Sequence, residues 1–102
     1  MADIRKLRGY CLNPEHDEGK HKARLFAVAL GLSAGDAWEL HKMVLQAVKK
    51  YDAQLGRRDN YGQRYTVDFP LEWHGKSAYV RTGWIIEHYS FIPKLTTCYP
   101  LL

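Results

Sequence analysis

The chain has 102 residues, of which 46% are hydrophobic and 25% are charged, so it can bury a core of its own and is too apolar for the disordered classes. Its formal charge of +4 favours polyanionic partners only slightly, because solvated surface charges explain a modest excess of lysine and arginine equally well. Length and composition together predict a single domain over residues 1–102.

The N-terminal residues lack the apolar run of a signal peptide, and no stretch of 18 consecutive apolar residues occurs. We therefore expect a cytoplasmic protein without a membrane segment, unless it is carried out of the cell as part of a larger protein. The two cysteines, Cys11 and Cys98, have no metal-ligand spacing and are predicted to be buried free thiols. No Gly-rich phosphate loop, GxSxG or HExxH motif is present, so we predict neither a metal nor a cofactor.

The N-terminal segment, residues 4–12, is mixed in character. Gly9 argues against a stable helix there, and residues 10–12 are predicted as an edge strand or a packed lead-in. The following residues, 13–19, begin with Asn-Pro and end with glycine, so we expect a polar loop.

A first helix is predicted from Lys20, with Gly31 as its C-terminal stop. Its apolar residues recur with helical spacing and should form the buried stripe: Ala23, Phe26, Ala27 and Leu30. Its first turns carry an unusual cluster of cations, Lys20, His21, Lys22 and Arg24. Two interpretations stay open for this cluster, namely solvated surface charges or an anion-binding site.

A second helix is predicted to begin near Ala34, where Ser33 and Asp36 have the spacing of a capping box, and to end at Gly56. Its expected buried stripe comprises Ala37, Leu40, Val44, Val48 and Tyr51, widened by Trp38, Met43 and Leu45. The helical half thus covers about residues 20–56. Residues 57–62 then form a predicted linker rich in turn-forming residues.

The sheet half is predicted over about residues 61–100. Residues 65–74 alternate between apolar and polar side chains, which is typical of a half-buried strand. Residues 77–87 carry large groups on both faces and are predicted as the central strand, and residues 94–99 form the last strand before Pro100. We therefore predict an α+β fold in which two N-terminal helices pack on one face of a three- to four-stranded antiparallel meander, the fourth strand coming from the N-terminal segment.

Histidine, arginine, lysine, threonine and tyrosine are scattered through the chain without a carboxylate cluster. Such a set suits metal-independent cleavage of RNA, in which the RNA's own 2′-hydroxyl attacks the phosphate. A histidine with a reference pKa of about 6.5 can act as the base, and an arginine can stabilise the phosphorane through its planar fork of donors.

Three segments, LNPEHDEGKHKARLF, YGQRYTV and WIIEHYSFIPKLTTCYP, resemble a family of small uncharacterised bacterial domains of unknown function over nearly the whole chain. More loosely, the order of a helical half with Lys-His, a strand with Arg and a last strand with Thr and Tyr is similar to the barnase/EndoU/colicin/RelE group of ribonuclease toxins.

The second resemblance implies a set of roles. His21 would be the general base or acid, Arg81 would contact the scissile phosphate, and Thr97 and Tyr99 would be donors. Lys22 and Arg24 would bind flanking phosphates, and Arg57 and Tyr61 are further candidates for RNA binding. Each has an ordinary structural alternative: His21 can be a solvated helix-start residue, and Thr97 and Tyr99 are good strand formers. Arg81 is less easily explained, because a charge in a central strand needs a partner or a solvent-facing cleft.

Three hypotheses about function follow. The chain is a toxin-type ribonuclease acting on RNA and held in check by an inhibitor protein, or a non-catalytic interaction module of a two-protein system, or a basic nucleic-acid-binding domain. A homodimer is compatible with each of them. The ribonuclease hypothesis requires His21 and Arg81 to converge with Thr97 or Tyr99, whereas a docking module leaves them scattered.

Overall fold

The computed structural model describes residues 3–102 and shows helices packed on one face of a four-stranded antiparallel sheet with strand order β1-β2-β3-β4. The helical elements are α1 (Ile4–Lys6), a π-helical turn (Leu7–Cys11), α2 (Lys20–Leu30), a 3-10 turn (Ala34–Asp36) and α3 (Ala37–Lys50). The strands are β1 (Gln54–Asp59), β2 (Gly62–Trp73), β3 (Lys76–Glu87) and β4 (Lys94–Leu101). The α+β class and the antiparallel meander are therefore confirmed.

The predicted ends of α2 and the start of the second helix are confirmed by their caps. Gly31 ends α2 in the left-handed region at φ 72°. Its N–H donates to the carbonyl oxygen of Ala27, and the N–H of Leu32 donates to that of Phe26. Ser33 and Asp36 form both bonds of a capping box ahead of α3. The stripe prediction is wrong at Ala27, which is exposed, because the buried face of α2 is the narrower one formed by Ala23, Phe26 and Leu30.

The C-terminal end of α3 was predicted too late. The helix ends at Lys50, Tyr51 is already extended, and residues 54–59 pair with β2 instead of continuing the helix. Gly56 contributes to this pairing, because a Cβ atom there would lie 3.1 Å from the carbonyl oxygen of Arg64. The predicted linker at residues 57–62 is thus the end of β1, a two-residue turn and the first residue of β2.

The strand alternative for the N-terminal segment is wrong, since the segment is helical and adds no strand to the sheet, whereas the alternative of a packed lead-in is confirmed by the burial of Cys11 and Leu12. Its π-helical turn and the residue after it bury Leu7, Cys11 and Leu12 in the core, while Gly9 is exposed with open space around its Cα. The fourth strand is β1 rather than this segment. Within residues 3–102 the helical layer therefore contains three α-helices and not two.

The core lies between the helices and one face of the sheet. Three of the strands point buried residues into it: Val67, Phe69 and Leu71 alternate in β2, Val80, Thr82 and Trp84 alternate in β3, and Leu95 and Cys98 of β4 are separated by an irregularity in the pairing. The hydroxyl group of Thr82, a buried polar residue, donates to the carbonyl oxygen of Val67 at 2.7 Å and accepts from the indole N–H of Trp84 at 2.9 Å. These two bonds satisfy a polar group that would otherwise be costly to bury.

The strand ends differ slightly from the sequence-based bounds. β2 begins at Gly62 rather than at residue 65, and β4 continues past Pro100 to Leu101. Pro100 is tolerated because β4 is an outer strand, where a missing N–H need not break a ladder. Both cysteines are buried free thiols as predicted, and burial raises the pKa of Cys11 to about 11. Among the helices within residues 3–102, none has the length and apolar character needed to cross a membrane.

Candidate functional site

A row of three polar side chains crosses the sheet on the face turned away from the helices. Asp68 on β2 lies opposite Arg81 on β3, which in turn lies opposite Tyr99 on β4. Their chain neighbours Val67, Val80 and Cys98 are buried in the core, so strand alternation places the three polar residues on the other face. The row therefore lies across the middle of the meander.

Arg81 and Asp68 form a two-pronged ion pair. The Nε and Nη2 atoms of Arg81 donate to the two carboxylate oxygens of Asp68 at 2.9 and 2.8 Å. The hydrogen bonds to Asp68 raise the pKa of the Arg81 guanidinium, and the Tyr99 hydroxyl adds a smaller effect in the same direction. The two bonds to Asp68 fix the orientation of the Arg81 guanidinium. Because the Arg81 side chain is 38% exposed, its charge is still open to solvent.

Lys22, in the first turns of α2, connects the helical layer with this row. Its ammonium group donates to the Tyr10 hydroxyl at 3.3 Å. The same nitrogen lies 5.2 Å from the centre of the Tyr10 ring and 5.7 Å from the centre of the Tyr99 ring, both within the range of a cation–π interaction. Because β4 is an outer strand, Lys22 can reach Tyr99 from the helix side.

The start of α2 is held against Tyr10 by close packing. Gly19 precedes the helix, and a Cβ atom at this position would overlap the carbonyl group of Tyr10. The Nδ1 atom of His16 accepts hydrogen bonds from the N–H groups of Glu18 and Gly19, and its ring meets the Tyr10 ring edge-on at 4.9 Å. These contacts fix the position from which Lys22 extends.

Thr97 lies two residues before Tyr99 on the same side of β4, opposite Gly83. The two residues are close, because a Cβ atom on Gly83 would lie 2.8 Å from the Thr97 methyl carbon. The Thr97 hydroxyl oxygen is enclosed and has no hydrogen-bond partner within residues 3–102. A buried hydroxyl without a partner is uncommon and calls for an explanation.

The remaining predicted site residues lie elsewhere. His21 and Arg24 are exposed on α2, and neither makes a hydrogen bond, ion pair or ring contact in the described part of the chain. Arg57 pairs with Asp59 at 3.2 Å on β1, and Tyr61 is 71% exposed in the turn between β1 and β2. The structure thus brings together Lys22, Arg81 and Tyr99 with Thr97 beside them, and shows no contact between that group and the other four.

Two members of this arrangement were missed by sequence reasoning. Asp68 falls on the polar side of the alternating strand, which is a usable signal, but its pairing with Arg81 depends on a register that the sequence does not reveal. Tyr10 carried no such signal, because its segment was predicted as a strand or lead-in. Among residues 3–102, no group of three or more His, Cys, Asp or Glu side chains is arranged to hold a metal ion.

Comparison with known proteins gives two matches. The family model DUF6883, a domain of unknown function, matches residues 1–102, which confirms the predicted likeness to small uncharacterised domains. No curated protein matches the sequence. The fold is similar to that of a chain in a contact-dependent growth inhibition toxin–immunity protein complex from Klebsiella pneumoniae 342, with a TM-score of 0.70, 15% sequence identity and 98% of each chain covered. At this identity the likeness establishes a shared fold.

Proposed function

This chain belongs to the DUF6883 family of domains of unknown function, and from its own side chains we propose that it is an endoribonuclease of bacterial toxin type that acts without a metal ion. The observation that carries the proposal is the placement of Lys22 and Arg81 beside Tyr99: the Lys22 ammonium lies 5.7 Å from the centre of the Tyr99 ring, and Arg81 is the cross-strand partner of Tyr99. Two cations therefore lie near one tyrosine. Cleavage through a 2′-hydroxyl concentrates negative charge on the phosphorane, and fixed cations are the groups that stabilise such charge.

Arg81 is suited to contact the scissile phosphate. A guanidinium has five N–H donors in a planar fork, and Asp68 occupies two of them. The other N–H donors of Arg81 stay available to a phosphate, while the two bonds to Asp68 prevent the guanidinium group from rotating. A donor fixed before the substrate arrives loses little free energy to reorganisation when charge develops.

The other predicted residues complete the proposed reaction. The convergence of His21 with Arg81 that this reaction needs is not among the contacts of residues 3–102, so the proposed role of His21 depends on RNA that extends from the start of α2 to the row at Arg81. In the proposed reaction His21 accepts the proton of the attacking 2′-hydroxyl, a bond forms from that oxygen to phosphorus, and the bond to the 5′-oxygen breaks, so that the leaving oxygen takes a proton from solvent and a 2′,3′-cyclic phosphate remains. The hydroxyl groups of Tyr99 and Thr97 donate hydrogen bonds to the phosphate, Thr97 after a rotation about χ1 that exposes its unpaired oxygen. Lys22 and Arg24 bind flanking phosphates.

Arg57 and Tyr61 are proposed to bind the RNA beyond the cleaved bond. Both lie on the hairpin of β1 and β2, and the Tyr61 ring is exposed enough to stack on an unpaired base. The similarity of the fold to a chain of a toxin–immunity protein complex also supports a cognate inhibitor protein as the partner of this chain.

The decisive experiment is cleavage of bulk RNA in the presence of EDTA by the wild type, His21→Ala and Arg81→Ala. Loss of one fixed donor should lower the rate about 10²- to 10³-fold in Arg81→Ala. Lys42→Ala, which removes an exposed lysine on α3, is the matched control and should cleave like the wild type. A properly folded wild type that does not cleave RNA would end the ribonuclease proposal.

The second candidate function is a non-catalytic interaction module. It is favoured by the turn between β3 and β4, where Tyr89, Phe91 and Ile92 are 106%, 96% and 60% exposed. Tyr89 also has a φ of 65°, an uncommon backbone conformation for a bulky residue. Adjacent exposed apolar side chains are typical of protein-binding surfaces. If this candidate is correct, expression should not arrest growth, whereas a ribonuclease should arrest it and Arg81→Ala should relieve the arrest.

A further inference from the structure

A second cationic cluster lies beside Tyr10, outside the residues assigned above to the scissile phosphate. The ammonium nitrogen of Lys6 is 5.5 Å from the centre of the Tyr10 ring, and that of Lys22 is 5.2 Å from the same centre. One tyrosine ring is therefore shared by two ammonium groups that come from different helical segments.

In the part of the chain that the structure describes, neither ammonium group has a direct ion-pair partner, although the charge of Lys6 contributes to lowering the pKa of the nearby Asp3 carboxyl. Within residues 3–102, neither Lys6 nor Lys22 has a carboxylate within ion-pair distance. The nearby carboxylate of Asp3 is occupied, since it accepts three side-chain hydrogen bonds from Arg5 at 2.7 to 3.1 Å. Arg5 also lowers the pKa of Asp3 to about 2, so this carboxylate stays ionised and paired.

The cluster borders an open cavity and is continuous with the row at Arg81. A cavity of about 320 Å³ is lined by Asp3, Arg5, Lys6 and Tyr10. Lys22 belongs to both regions, because its ammonium group lies near the Tyr10 ring on one side and the Tyr99 ring on the other. We therefore expect that an RNA strand with one phosphate at Arg81 can place a neighbouring phosphate beside Lys22 and Lys6.

We propose that Lys6, Tyr10 and Lys22 form a subsite for a second phosphate of the RNA strand, next to the phosphate held by Arg81. This inference rests on the proposed ribonuclease function. It adds that the site binds an RNA strand with at least two phosphates. The ligand is a phosphate and not a stacked base, because the Tyr10 ring is already in contact with the two ammonium groups and with the His16 ring. Tyr10 positions Lys22 through its hydroxyl, and Lys6 and Lys22 supply the charge.

The test measures binding without cleavage, using 2′-O-methyl oligoribonucleotides that lack the attacking hydroxyl. A dinucleotide has one phosphate between its nucleosides, and a trinucleotide has two. Comparing their dissociation constants by fluorescence anisotropy therefore measures how much affinity the second phosphate adds. The wild type should bind the trinucleotide about tenfold more tightly, as a charge-assisted contact would give. In Lys6→Ala this gain should fall to less than about threefold, and the slope of log K against log salt should decrease by about 0.7.

Two variants separate a role in binding from a role in folding. Lys6→Arg keeps the charge and should restore the gain. Lys76→Ala removes an exposed lysine at the start of β3 and should leave the gain unchanged. Tyr10→Phe keeps the ring and removes the hydroxyl that holds Lys22. The affinity gained from the second phosphate should therefore fall between that of the wild type and that of Lys6→Ala.

The outcomes distinguish this inference from the function on which it rests. If the wild type does not cleave unmodified RNA but the trinucleotide gain depends on Lys6, the subsite is supported and the ribonuclease activity is wrong. If the wild type cleaves RNA but Lys6→Ala retains the full gain, the subsite is wrong and the ribonuclease proposal stands. Absence of any oligonucleotide binding by the folded wild type would overturn the subsite as well.

Discussion

The two faces of the sheet are built from the same strands but differ in burial and in charge. On the helix-covered face, Val80 and Trp84 of β3 are buried among apolar side chains. On the other face, their neighbour Arg81 is partly exposed and bonded to Asp68. One strand thus contributes alternately to a dry core and to a charged surface, because successive side chains point in opposite directions.

The difference shows where stability and chemistry are expected to reside. Apolar burial on the helix side stabilises the fold in proportion to the area removed from water. The ion pair on the other side is partly solvated, and such pairs contribute little to stability. The face with Arg81 and Tyr99 can therefore be altered with little loss of folding, which is what a binding surface requires.

The largest expected effect is on the helix-covered face. Phe26→Ala removes a fully buried side chain of α2 and should lower the free energy of unfolding by about 3–5 kcal/mol. Chemical denaturation measures this, with Val28→Ala as the control, because Val28 lies on the same helix and is 66% exposed. The control should change the free energy by less than about 0.5 kcal/mol. A similar loss in both variants would contradict the division between the two faces.

A smaller loss is expected for the buried hydroxyl. Thr82→Val keeps the shape of the side chain but leaves the indole N–H of Trp84 without its acceptor, so the free energy of unfolding should fall by about 1–3 kcal/mol. Thr66→Val, on the opposite face of β2, removes a hydroxyl from a half-buried residue and is the matched control. If both variants unfold at the same denaturant concentration, the Thr82 bonds add nothing to the core.

Much of this division between faces could be predicted from the sequence. The alternation in β2 predicted Val67 as a core residue. In β3 it placed Val80 and Trp84 on the face opposite Arg81, but the large groups on both faces did not reveal which face is buried. The caps of α2 and α3 were also readable, because Gly31 and the pair Ser33 and Asp36 act through local hydrogen bonds.

What could not be predicted depends on contacts between distant parts of the chain. The polar sequence of β1 has no alternation and is almost entirely exposed, so its strand character comes from pairing with β2 alone. The N-terminal segment is helical because Leu7 and Cys11 pack into the core. The bonds of Arg81 with Asp68 and of Lys22 with Tyr10 likewise depend on register and packing.

On the open face, Asp68→Asn should separate stability from activity. Replacing the carboxylate weakens the two-pronged bond to Arg81, and the free energy of unfolding should fall by about 1 kcal/mol or less. The rate of RNA cleavage should fall about tenfold, because the guanidinium is less well oriented. Glu72→Gln, exposed on the same strand, is the control and should change neither quantity.

A loss of stability in Asp68→Asn as large as that in Phe26→Ala would contradict the assignment of stability to the helix-covered face. The ion pair would then be part of the structural framework, and the open face would not be free to serve as a binding surface. Normal cleavage by a stable Asp68→Asn variant would show instead that Arg81 does not need its partner for orientation.

The smallest expected effect concerns Asp59, whose carboxylate holds the hairpin between β1 and β2. It accepts from the Arg64 side chain at 2.7 Å and from the N–H of Tyr61 at 2.9 Å, and these bonds hold the pKa of Asp59 well below its ordinary value. A carboxyl with a lowered pKa in the folded state stabilises the protein above its unfolded pKa of about 3.9, and this contribution is lost as pH falls below that value. The denaturation midpoints of the wild type and Asp59→Asn should therefore differ at pH 6 and converge as pH decreases below about 4. Asp52→Asn, at an exposed position before β1, is the control and should show no such convergence. A difference that stays constant from pH 6 to pH 2.5 would mean that the charge of Asp59 does not stabilise the hairpin, and that its amide replacement acts through shape alone.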